Sequence, residues 1–287
     1  MVKYENVFME SIFAHTMADM NWKEIEQMGQ ESVPVLFPLG VVEEHGPHLP
    51  LGTDIYMSYA VCRKIKSEIE GMSHKCIIAP PFYWGINHCT KAFPGSFSLK
   101  PETMMRVLKD IFEDFKRFGF KNIYCVNQHG DPVHIKTILG AIQEANEANH
   151  MHIRMLMEPH ELSDYILSGD EPYILVDKAE YSPSLFEGDS DSPDIHAGAY
   201  ETAAMHYFYK HMVDGDTAKN LPYASMSHSD MHKWFQGGEG VRDIVPLGYV
   251  GNPSQYAKKQ QSVEGIYSIL CRYVAQEIVS HMRKDHG

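Results

Sequence analysis

The chain of 287 residues is short of positive charge: 25 lysines and arginines face 38 aspartates and glutamates, a formal net charge of −13. Such a surface repels phosphate backbones and anionic headgroups, so neither nucleic acid nor a membrane is expected as a partner. Long apolar runs are missing too. None approaches the roughly 18 residues that a spanning helix needs. The opening Met1-Val-Lys-Tyr-Glu-Asn6 has neither the charged start nor the apolar core of a secretory leader. The five cysteines (62, 76, 89, 125 and 271) are odd in number and lack any Cys-x-x-Cys spacing, which predicts reduced thiols and a cytoplasmic protein. No Gly-x-Ser-x-Gly elbow exists for serine chemistry. The run Gly237-Gly-Glu-Gly240 lacks the Lys-Ser/Thr that completes a phosphate loop. With 44% hydrophobic and 22% charged residues, composition is that of an ordinary globular protein. No repeat, linker or low-complexity segment divides the chain, and residues 1–287 are read as one domain.

Histidine, at 17 residues, is the outlying count. The densest stretch is Pro38-Leu-Gly-Val-Val-Glu-Glu-His-Gly-Pro-His-Leu-Pro-Leu-Gly-Thr-Asp54, with His45, His48, Glu43, Glu44 and Asp54. It leaves an apolar run at 33–37 with the length of a buried strand. A structural loop needs the glycines and prolines but not this set of imidazoles and carboxylates, which bind zinc- or manganese-type cations. In an extended segment Glu43 and His45 face one way, and Asp54, opening the next helix, can return to bridge them. The competing reading makes Asp54 a helix cap and gives the histidines loop hydrogen bonds.

Further along, Asn21 and Glu24 form a capping box that starts a helix. Helical spacing then runs from Ile55 to Gly71, from Pro101 to Gly119 and from Val133 to Ala148, and the last helix buries Ile266, Leu270, Val274 and Ile278. Short apolar runs at 76–79, 123–126 and 153–157 read as strands. Residues 160–192, acidic and broken by Gly, Pro and Ser, read as an excursion from the core. Strand alternating with helix predicts a mainly parallel sheet covered on both faces, with ligands outside the carboxyl ends of the strands. At that end lies Asn127-Gln-His129-Gly-Asp131. His129 and Asp131 complete a set able to hold two metals about 3.5–4 Å apart that share one carboxylate.

Asp194-Ile-His196 and Glu201 form a third group, read either as caps of the helix bearing Met205 or as machinery. In the second case His196 is the general acid or base, and Glu201 orients it or contacts a metal. The long aromatic loop after the second strand is expected to wall in the substrate with Tyr83, Trp84, His88 and Phe93. His150 with His152, and His228 with His232, can be drawn as metal pairs but lie away from strand ends.

These motifs, with Phe93-Pro-Gly95, His196-Ala-Gly-Ala-Tyr-Glu-Thr202 and Gly251-Asn-Pro253 in the same order, resemble the creatininase (creatinine amidohydrolase) family. The resemblance implies a three-layer α/β/α sandwich, a homo-oligomer that is often hexameric, and two divalent metals (zinc, manganese or iron). By position Glu43, His45, Asp54 and His129 match the family's metal ligands, with Asp54 bridging, and His196 matches its catalytic histidine. Asp131 stands where creatininase has a glutamate ligand, and the following Pro132 departs from the family's pattern, as does Ala203 in place of serine. The expected chemistry is a metal-activated water attacking a carbonyl of a small polar, cyclic substrate, at a cyclic amide or formamide C–N bond. Two other readings stay open: C–C ring hydrolysis of a keto-inositol such as 3-dehydro-scyllo-inosose, and a non-catalytic metal-binding protein.

Overall fold

The structure, a computed structural model, describes residues 11–186 and 194–285. Five strands form one parallel sheet in the order β2-β1-β3-β4-β5: β1 Val35–Leu39, β2 Ile77–Ile78, β3 Asn122–Asn127, β4 His152–Met157 and β5 Ile174–Val176. The last of these corrects the expected excursion over 160–192, since Ile174, Leu175 and Val176 pair with Met155, Leu156 and Met157 at the sheet edge. Three buried apolar residues suffice for an edge strand, and the acidic residues around them masked that run. Part of the segment, 187–193, lies outside the described residues.

Side-chain alternation along the strands sorts the core into two layers. Val35, Phe37, Ile123, Cys125, Ile153 and Met155 pack on α3 (Pro101–Arg117) and α4 (Pro132–Asn149). Leu36, Ile78, Tyr124, Val126 and Leu175 face α2 (Thr53–Gly71) and the long carboxyl-terminal helix, Tyr256–Asp285. This is the expected three-layer α/β/α sandwich. The helix at Trp22–Gln30 starts on the capping box of Asn21 and Glu24. All five cysteines are buried and free. Among the described residues no helix is long and apolar enough to cross a membrane.

The first strand runs two residues later than the apolar run suggests, through Pro38 to Leu39. Pro38 sits in an interior strand without disruption because its ring nitrogen, which has no N–H to give, lies on the side of its carbonyl, toward Phe82, where β2 has already ended. At Gly40 a β-carbon would come within about 3.0 Å of the Asp54 backbone. The missing side chain lets the first turn of α2 close on the end of β1, and this brings Asp54 over the sheet.

Candidate metal centre

Above the carboxyl ends of β1 and β3 five side chains converge. Asp54 Oδ1 lies 3.1 Å from His45 Nε2, and Asp54 Oδ2 lies 3.2 Å from His129 Nδ1. Glu43 Oε1 is 2.9 Å from His129 Nδ1, and Glu201 Oε1 is 3.3 Å from His45 Nε2. Three ligand-type triads result among the described residues: Glu43–Asp54–His129 and His45–Asp54–Glu201, which share Asp54, and Glu43–His45–His196 beside them. The helix-cap reading of Asp54 fails, because α2 is capped by Gly52 without a side-chain hydrogen bond and both Asp54 oxygens face imidazoles.

Each imidazole has its second nitrogen engaged by a carbonyl. His45 Nδ1 donates to the Glu43 carbonyl at 3.1 Å, and His129 Nε2 donates to the Ile86 carbonyl at 2.9 Å. A carbonyl can only accept, so both rings present their other nitrogen to the carboxylates, as metal-ligating histidines do. Buried Asp54 Oδ2 makes no hydrogen bond. A buried carboxylate oxygen without a hydrogen bond, 3.2 Å from an imidazole nitrogen, fits a cation, and the donor set of oxygen and imidazole nitrogen suits zinc, manganese or iron.

Electrostatics agree with the geometry. Burial works against a charged His45, but the Glu201 and Asp54 carboxylates outweigh it and hold the imidazole well above its ordinary range. Burial likewise opposes charge on His129, and Glu43 and Asp54 reverse it. Asp54 is buried, yet both imidazoles hold its carboxyl well below the usual range. Behind His129, His134 receives the Ile86 N–H on Nδ1 at 3.2 Å, and burial with the adjacent His129 keeps it neutral.

His196 lies beside the cluster, its ring centroid 4.5 Å from that of His45 and 5.6 Å from Trp234. Val250 brackets it in a short antiparallel bridge, and its Nε2 donates to the Glu44 carbonyl at 2.8 Å, with Glu44 Oε1 at 3.4 Å. Burial and His45 oppose its charge, but Glu44 and Glu43 prevail and push its pKa up to about 9. Asp194 accepts the Tyr200 N–H at 2.9 Å and closes the turn before α6, the helix at Ala199–Tyr209.

Several expectations need correction. Asp131 is in none of the ligand groups. Its Oδ1 takes the Val133 and His134 N–H groups as the cap of α4, and its Oδ2 takes those of His88 and Cys89 at 2.6 and 3.0 Å. The sequence departure at Asp131-Pro132 therefore leaves the cluster intact. Glu201 stands with His45 and Asp54 rather than orienting His196; its second oxygen takes the Ala197 N–H at 2.6 Å.

The loop after β2 reaches the site through Cys89 and Thr90, which line the smaller cavity, and not through the side chains expected to wall in the substrate. Tyr83, Trp84, His88 and Phe93 line neither cavity that opens on the cluster. Tyr83 meets Trp84 at a tilt and Trp84 meets Phe97 edge to face, while Phe93 packs under Arg242. Aromatic character marked this loop, but its placement between β2 and α3 turns those rings outward. What it supplies inward is Thr90, whose hydroxyl donates to Glu43 Oε2. Nothing in the sequence singles out this threonine. His48, by contrast, meets Thr202 Oγ1 at 2.8 Å and is not a ligand. The pairs His150 with His152 and His228 with His232 are in no ligand group among the described residues.

A cavity of about 660 Å³ opens over Glu43, Asp54, His129 and Glu201 and runs past His196. A smaller one of about 140 Å³ reaches Glu43, His129 and His196 beside Trp234.

The model of the creatininase family, described as creatinine amidohydrolase, matches residues 18–276. Creatinine amidohydrolase of Pseudomonas putida is 24% identical over 224 residues, 75% of this chain and 80% of that protein. The 3-dehydro-scyllo-inosose hydrolase of Thermotoga maritima is 22% identical over 266 residues, 88% of this chain and 78% of that protein. A solved structure described as "Creatininase Mn" shares the fold, with a TM-score of 0.68 and 20% identity over 93% of this chain and 98% of that one. A family match over nearly the whole chain, together with the same fold, places the protein: it belongs to the creatininase family of metal-dependent hydrolases.

Proposed function

We propose that the protein hydrolyses a carbon–nitrogen bond next to a carbonyl, in a small polar substrate of the cyclic amide or formamide class. The observation that carries this reading is the division of Asp54, one oxygen toward His45 and the other toward His129. Glu43, Asp54 and His129 would hold one divalent ion, and His45, Asp54 and Glu201 the other. When bound, such a pair supplies a water made acidic enough to attack at neutral pH and a Lewis acid for the carbonyl. Thr90 fixes the rotamer of Glu43 through its hydroxyl. The carbonyls of Glu43 and Ile86 fix the tautomers of His45 and His129. His196 transfers the proton: with Nε2–H committed to the Glu44 carbonyl, Nδ1 is left to exchange with the leaving nitrogen.

Metal analysis and turnover test this together. Asp54→Ala is expected to lose both ions and all turnover, whereas His196→Ala keeps the metal and loses about 10²–10⁴ in rate. A metal-free Asp54→Ala protein with full activity would sink the mechanism. A second reading, carbon–carbon cleavage in a cyclic ketone, is supported by the inosose hydrolase likeness over 88% of this chain. A screen of cyclic amides against keto-cyclitols separates the two. A homo-oligomer, of the hexameric kind often found in the family, and a cytoplasmic setting belong to the same proposal, and sedimentation of the purified protein reads the first.

A further inference from the structure

The larger cavity extends well beyond the cluster. It follows the carboxyl edge of the sheet from Glu43 after β1 and His129 after β3 to Glu158 after β4 and Asp177 after β5. Neighbouring strands are about 4.8 Å apart, so the step from β3 to β5 is about 10 Å. A volume of about 660 Å³ falls in the range of pockets for ligands much larger than a single small ring.

Charge along the cavity is one-sided. Six carboxylates line it, and among the described residues no lysine or arginine does; Lys259, 5.0 Å over the Tyr200 ring, is not part of the lining. Residues 187–193 contain no lysine or arginine either. At the inner end Glu43, Asp54 and Glu201 are matched by imidazoles and by the metals they would hold. The outer end has no such match. Asp177 is 4% exposed, and its partners are the Ala179 N–H at 3.0 Å and the Tyr181 hydroxyl, both neutral donors. Glu158 at the rim caps the short helix at Pro159–Asp164 and, among the described residues, pairs with His160 at 3.3 Å. A buried carboxylate without a counter-charge is costly, and each of its oxygens still has a lone pair to offer. Beside it the rings of Tyr181 and Phe186 meet edge to face at 6.2 Å, leaving ring surface of the kind that attracts cations.

We propose that Asp177, Glu158 and Tyr181 form a subsite for a cationic group, an ammonium or guanidinium, carried by the substrate about 10 Å from the carbonyl under attack. This rests on the hydrolase reading above and narrows its substrate class to amides with a positively charged tail. Anionic substrates are excluded by the same lining. Attraction of this kind weakens with ionic strength, most at the exposed Glu158.

Direct binding tests the subsite without requiring turnover. The metal-loaded full-length protein is titrated calorimetrically with three hydroxamates that anchor on metal and differ only at the far end of the chain: 8-aminooctanohydroxamate, octanohydroxamate and the ω-carboxylate analogue. The amine is expected to bind at least about tenfold tighter than the neutral probe and the carboxylate weaker than both. In the Glu158→Gln, Asp177→Asn double variant the amine's advantage should fall to about twofold or less. The single rim variant Glu158→Gln, where folding is not at risk, should lose part of it. Equal affinities for the three probes, or an advantage that survives the double variant, overturns the subsite and leaves the hydrolase reading standing. If none of the three binds the loaded protein, the metal-centre reading falls and the subsite with it.

Discussion

The loop after β1 and the loop after β2 leave neighbouring strands at one edge of the sheet, and both are rich in glycine and proline. Residues 40–52 send Glu43 and His45 into the cluster, buried to 2% and 0% exposure. Residues 80–100 supply no ligand. Their work is to grip the first loop and the one after β3: Asn87 Nδ2 and the Phe97 N–H both bond to the Val42 carbonyl, Ser96 Oγ takes the Glu44 N–H, and the Ile86 carbonyl takes His129 Nε2. A loop that must hold charged groups out of water needs its own polar backbone satisfied, and here a second loop satisfies it. The comparison shows that aromatic residues in a long loop do not by themselves mark a substrate wall. Such a loop can brace the site from behind and give only small side chains, here Cys89 and Thr90, to its wall.

The comparison can be broken most severely at the first loop's return point. Asp54→Ala should lower affinity for both ions by more than about 100-fold, since even indirect partners of metal ligands are worth 10–100-fold; mass spectrometry of the native protein and its metal content check this. Glu43→Ala should cost one ion and leave the other with His45, Asp54 and Glu201, read as a halved stoichiometry. If the second loop is a brace, Thr90→Val should weaken metal binding by about 10–100-fold while Thr90→Ser, which keeps the hydroxyl, restores it. A purely structural role would leave metal affinity the same in both.

The sign of the pH dependence follows from the shifts at the cluster. In the metal-free protein burial opposes charge on His45 and His129, but the neighbouring carboxylates outweigh it and favour the protonated rings. A metal must displace those protons, and affinity should therefore rise with pH across the neutral range, with proton release on binding. Calorimetry in buffers of different ionisation enthalpy measures it. The smallest effect is expected at Trp84, which is 46% exposed and lines neither cavity. Trp84→Ala should leave KM within about twofold, because surface changes away from a site are usually nearly silent.

Much of this was readable before folding. The alternation of apolar periods set out the sheet and most helices, because local burial patterns repeat at 2 or 3.6 residues whatever the tertiary contacts. Glu43, His45 and Asp54 were legible because twelve consecutive residues, a loop and the first turn of α2, carry them all. Asp131 misled for a reason that is also local. It stands two residues from His129 just as a ligand should, but Pro132 opens α4, and the aspartate before it meets the free N–H groups of that helix first. The edge strand β5 was hidden because three residues are too few for a period to show.

What the sequence determined by itself is the chemistry on offer: a stretch of imidazoles and carboxylates at the end of a buried strand, and a second histidine at the end of another. Spacing cannot say which oxygen faces which nitrogen. Only the tertiary structure, by closing α2 on Gly40 and carrying α6 across to β1, split Asp54 between two histidines and made Glu201 a partner of His45 across 156 residues. It also buried Asp177 with the Ala179 N–H and the Tyr181 hydroxyl, both neutral, as its hydrogen-bond partners among the described residues. These are long-range contacts, set by how helices pack on the sheet, and no local pattern records them.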